Sequence, residues 1–111
     1  MLDKIVEFKE SFHKKILFVL SYPPRSISRY LETGERSDRS FIDALEAKQL
    51  PYVDLLQAHV DDFRKYNIDI KSYLARYFIG HYNPRGNFFC AYALKDQMVR
   101  MLDPKPVPYR D

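Results

Sequence analysis

The residues best suited to chemistry lie in one stretch, His81-Tyr82-Asn83-Pro84-Arg85-Gly86-Asn87. A histidine there is followed at once by the signals of a helix start. The Asn83 side chain can accept from an orphan amide at an N-cap, Pro84 suits the first helical position, where no N–H is needed, and Gly86 allows close backbone approach. His81 is therefore expected just outside a helix N-terminus, whose partial positive charge disfavours the imidazolium. Neutral imidazole is the form a general base or a metal ligand needs, which makes His81 the candidate catalytic residue.

The other reactive side chains read more simply. His59, Asp61 and Asp62 diverge around a helix at their spacings, so a solvated helix face is expected and no metal site. His13 follows Phe12 at a helix end, where its charge is favourable. The single cysteine, Cys90, excludes an intrachain disulfide and a cysteine-rich metal site. With only three glycines there is no glycine-rich phosphate loop, and no cofactor is expected. Arg25, Ser26 and Arg29 follow a strand at the end where open α/β sheets keep their sites, so they could line a cleft, although a solvated loop is the plainer reading. Tyr77 and Tyr82 could shape a pocket near His81.

Length and charge bound the partners. At 111 residues the chain is one domain or part of one. Its 18 Lys and Arg against 15 Asp and Glu leave a net charge of +3, with the basic residues spread among acids. That pattern calls for neither nucleic acid nor a membrane surface. The strongest apolar run, Ile16-Leu17-Phe18-Val19-Leu20, is too short to cross a bilayer, no secretory signal is visible, and the compartment stays open.

The periodicity supplies alternating helices and strands. Leu2, Ile5, Val6, Phe8 and Phe12 predict an amphipathic opening helix. Residues 16–20 predict a strand buried on both faces, ended by Pro23 and Pro24. Residues 25–39 predict a long polar connection with at most one helical turn. Ser37 or Asp38 can cap a helix carrying Phe41, Ile42, Ala44 and Leu45, and residues 50–56 predict a second strand. A strand, a crossover and a second strand make an α/β fold with two parallel strands and flanking helices. Two further helices are expected over residues 58–66 and 69–77. A final one has Phe88, Ala91, Leu94, Met98 and Met101 as its core stripe, and prolines 104, 106 and 108 then predict an extended tail over residues 103–111.

The order of these elements resembles the C-terminal half of SGNL/GDSL hydrolases, over residues 14–102. The features that carry the resemblance are a strand ending in Pro23-Pro24, the strand Tyr52-Val53-Asp54-Leu55-Leu56, and a histidine loop with Asn83-Pro84 and Gly86 before a terminal helix. The resemblance implies a partial three-layer αβα domain of flavodoxin-like type. It also implies that His81 is the general base for a serine nucleophile acting on a small-molecule ester, with Asn83, Pro84 and Gly86 as its frame. Phe78 stands where that family places its triad aspartate, and no Gly-Asp-Ser block occurs. The expectation is thus a hydrolase domain piece with the histidine loop and without the serine block; the alternative is a non-catalytic α/β interaction or dimerisation module. Two strands alone leave free edges, so self-association through a strand edge is expected.

Overall fold

In the computed structural model, which describes residues 1–105 and 107–110, six helices accompany a two-stranded parallel sheet, so the chain is α/β. The order is α1 (Leu2–Ser11), β1 (Phe18–Leu20), α2 (Pro24–Thr33), α3 (Arg39–Ala47), β2 (Tyr52–Asp54), α4 (Leu55–Phe63), α5 (Ile70–Ala75) and α6 (Pro84–Met101). The strands pair Phe18 with Tyr52, Val19 with Val53 and Leu20 with Asp54. Two helices, not one, form the crossover.

The side-chain period of two divides β1 between unlike surroundings. Phe18 and Leu20 pack on the core cluster of Leu2, Leu45 and Leu50 with Ile5, Val6 and Phe41. Val19 faces the other way and is 41% exposed. The expected strand buried on both faces is therefore corrected. A two-stranded sheet has too little width to be covered twice, and Ile16 and Leu17 lie before the strand and outside it.

The polar stretch after Pro23 is not the expected loop. It forms α2, with Pro24 in the first turn, Ile27 wholly buried, and Gly34 ending the helix at φ +72°, its N–H donating to the Tyr30 carbonyl at 2.8 Å. That left-handed terminus suits glycine. Proline at the start and glycine past the end were the signals, and a single buried isoleucine packs the helix toward α4 and α5.

The second strand stops at Asp54 and not at Leu56. Asp54 Oδ1 accepts from the backbone N–H of Leu56 at 3.0 Å and of Gln57 at 3.4 Å, so the strand passes directly into α4. Leu55 and Leu56 are buried as helix residues. On α6 the expected stripe holds at Leu94 and Met101, which are partly buried, but Phe88, Ala91 and Met98 are exposed, and Phe89, Cys90, Ala93, Gln97 and Val99 are partly buried in their place. In the tail, Val107–Tyr109 form a 3₁₀ turn where an extended path was expected. Proline's φ suits both conformations; Pro106 and Asp111 lie outside the described residues. Among those described, no helix is long and apolar enough to cross a membrane.

Candidate functional site

The expected histidine loop is present between α5 and α6. Asp69 caps α5 by accepting from the Ser72 N–H at 2.6 Å. The chain then reverses through Gly80, at φ +88°, with a backbone bridge between Phe78 and Tyr82. Asn83 Oδ1 accepts from the Gly86 N–H at 2.9 Å, its Nδ2 donates to the Arg76 carbonyl at 3.0 Å, and Pro84 occupies the first helical turn. A Cβ on Gly86 would overlap the Tyr77 carbonyl oxygen and the Tyr82 ring. Helix α6 can start this close to the preceding turn only because residue 86 has no side chain.

His81 is exposed, and its Nδ1 lies 2.7 Å from the Tyr82 carbonyl oxygen. A carbonyl can only accept, so Nδ1 carries the hydrogen, and in the neutral ring Nε2 is then the nitrogen with the lone pair. The carbonyl orients the ring as a carboxylate does in many hydrolytic sites; Phe78, three residues earlier, instead stacks on Tyr82 with ring centroids 4.6 Å apart. His81 borders a groove of about 550 Å³ between residues 21–24, at the carboxyl end of β1, and the wall formed by Phe78, Gly80, Tyr82 and Asn87. Ser21 and Asn87 place a hydroxyl and an amide on that groove.

The residues expected to line one cleft are divided. Ser26 and Arg29 border a second cavity of about 470 Å³, with Arg39 and Leu56, and Tyr22 borders both cavities. Arg25 borders neither, Tyr82 belongs to the histidine groove, and Arg29 is paired with Glu35 at 2.9 Å. On the wall of this cavity the Arg36 guanidinium, its side chain 5% exposed, donates through Nε to Asp38 at 2.7 Å, through Nη1 to Asp54 at 2.7 Å and through Nη2 to the Tyr22 hydroxyl at 2.7 Å. The Tyr22 hydroxyl also donates to Asp38. The hydrogen bond from Arg36 holds the Asp38 carboxyl below the usual carboxylate range. Two carboxylates engage Arg36, so it joins the end of β1, the start of α3 and the start of α4, leaving little of its charge for a ligand.

The largest departure from the sequence reading is His59. It is not on a solvated face: it is 1% exposed and stacked on Phe89 with ring centroids 4.2 Å apart. Asp61 does point outward, toward Gln57 and Arg64, but Asp62, three residues after His59, shares the inner face. The Asp62 carboxylate accepts from the Tyr73 hydroxyl at 3.0 Å and from the Tyr77 hydroxyl at 2.6 Å. His59 Nδ1 lies 2.8 Å from the Tyr73 hydroxyl, and Nε2 lies 2.8 Å from the Tyr82 hydroxyl.

One set of directions satisfies the ring contacts of His59, while the His59 carbonyl oxygen, 3.2 Å from the Tyr73 hydroxyl, is a second acceptor for the proton that faces Asp62. The carboxylate only accepts, so Tyr73 donates to Asp62; the Tyr73 oxygen then receives Nδ1–H of His59, and Nε2 receives the Tyr82 proton. Burial pushes the His59 pKa down to about 4 and the Tyr82 pKa up to about 12, so both groups are neutral over a wide range. The signal in the sequence was the three-residue spacing of His59 and Asp62 with Tyr73 and Tyr77 four apart, but pairing them needs the α4–α5 turn. Among the described residues no group of three or more His, Cys, Asp or Glu is placed to hold a metal ion. No protein-family model, curated protein or solved structure matches this chain.

Proposed function

We propose that this chain is the histidine-bearing part of an SGNL-like ester or acyl hydrolase, with His81 as general base. The observation that carries the reading is the 2.7 Å hydrogen bond from His81 Nδ1 to the Tyr82 carbonyl. In the neutral ring it makes Nε2 the basic nitrogen, beside a groove at the carboxyl end of a parallel strand, where α/β enzymes bind substrates. In such a reaction Nε2 takes the proton of a serine hydroxyl as that oxygen attacks the ester carbonyl, and returns it to the departing alcohol. The serine is supplied in the family by a block that this sequence lacks, and Asn87 is a side-chain amide able to donate to a developing oxyanion.

The test is covalent labelling of the protein, purified from its source, with a fluorophosphonate probe that reacts only with activated serines. Labelling is expected where the segment that supplies the serine is joined to this chain, and His81→Ala should slow it by about 10²- to 10⁴-fold. Equal labelling of the two proteins would sink the proposal. The alternative, a non-catalytic interaction or dimerisation module, draws support from the exposed Phe88 and Tyr92 on α6, and it predicts no labelling in either protein.

A further inference from the structure

Tyr82 stands between the groove and the interior. Its carbonyl receives Nδ1–H of His81 at 2.7 Å, and its hydroxyl donates to Nε2 of buried His59 at 2.8 Å. His59 is itself fixed by Phe89 on one face and by Tyr73 at Nδ1. We infer that His59 is a positioning residue for His81. By tethering the Tyr82 ring it holds the peptide plane whose carbonyl keeps His81 in the Nδ1–H form, with Nε2 open to the groove. The inference rests on the reading of His81 as a base.

The chemistry makes the tether consequential. A free imidazole prefers its proton on Nε2, and in that form His81 would offer the groove a donor and no base. The Tyr82 carbonyl opposes this preference only while its peptide keeps its direction. The same peptide is also held at its N–H, where Asn83 donates to the Tyr77 carbonyl at 2.8 Å, and the peptide before it is held by the Ile79 N–H donating to the His81 carbonyl at 2.8 Å. What His59 adds is a hydrogen bond from the core to the Tyr82 side chain, which fixes the ring of the residue whose carbonyl orients His81. Direction along the relay is set at its inner end. Asp62 can only accept, so Tyr73 donates to it, His59 donates to Tyr73, and the Tyr82 proton must point at His59. A reversed His59 would offer N–H to Tyr82 and leave Nδ1 facing an oxygen whose proton is already given to Asp62.

Long-range proton–nitrogen NMR of the histidine rings in the full chain tests this and needs no activity. His81 should be mainly Nδ1–H in the wild type. In Tyr82→Phe, which deletes only the hydroxyl, the Nε2–H share of His81 should at least double. In Tyr77→Phe, which loses an equally buried bond to Asp62 but does not touch the tether, the His81 nitrogens should keep their wild-type shifts. A wild-type His81 that is mainly Nε2–H would overturn the inference, and that measurement stands even where Tyr82→Phe fails to fold. So would a folded Tyr82→Phe whose His59 nitrogens move while those of His81 do not. Loss of fluorophosphonate labelling bears only on the catalytic reading, and the tautomer measurement bears only on the tether.

Discussion

At the scale of single residues, His59 couples the interior to pH. Its folded pKa of about 4 lies below its ordinary value of 6.5. The folded state therefore binds fewer protons than the unfolded one, and stability rises with pH between those values. The stability is fully present above pH 6.5 and declines as the pH falls toward 4, by roughly 3 kcal/mol. Urea midpoints measured across that interval should show the decline; His59→Phe should flatten it, and His81→Ala should not. Gly86→Ala should cost about 3 kcal/mol, because the new methyl meets a backbone carbonyl that cannot move aside. A urea midpoint within error of the wild type would contradict that. The roles of Asn83, Pro84 and Gly86 were legible because capping chemistry is local. His59 was not legible, because the partners that make its burial tolerable, Tyr73 and Tyr82, lie 14 and 23 residues away.

At the scale of elements, Arg36 fastens three of them. Arg36→Leu leaves Asp38 and Asp54 facing one another without a cation, which should cost about 3–5 kcal/mol in urea unfolding. Part of the wild-type stability is acid-sensitive in a lower window than that of His59. The folded Asp38 pKa is depressed by the Arg36 hydrogen bond, so its contribution is present above pH 4, roughly its unfolded value, and fades as the pH falls through the folded value below that. The slope below pH 4 should shrink in Arg36→Leu, leaving the part carried by carboxyls such as Asp69, which the Ser72 N–H holds below the usual range; an unchanged slope would assign it wholly to those. Element types were readable where apolar spacing was regular, as in α1 and α3. Helix α2 was missed because one isoleucine and two terminal signals define it, and the boundary of β2 was missed because Leu55 and Leu56 are apolar in either state. Only Asp54, serving as strand end and helix cap, distinguishes the two.

At the scale of the whole molecule the chain is open. Its radius of gyration is 16.1 Å, against about 13 Å for a compact domain of this length. Its surface of 7946 Å² exceeds the roughly 6,500 Å² typical of this mass. Phe88 and Tyr92, 72% and 67% exposed, stack on one another on the outside of α6, and Val19 is uncovered on the sheet. Light scattering over a concentration series should show mass rising toward a dimer, and Tyr92→Lys and Val19→Lys should separate the helix face from the sheet as the contact. A monomer at every concentration would exclude self-association. Periodicity could foresee two parallel strands but not how much apolar surface they leave bare, since that depends on which elements pack against them. One consequence concerns α4, which packs on both β1 and α6, the elements that carry the two walls of the histidine groove. None of its residues lines the groove, yet wedging the walls apart or drawing them together must load this helix like the pivot of a pair of tongs. Deuterium uptake along residues 55–63 should therefore report occupancy of a groove those residues never touch.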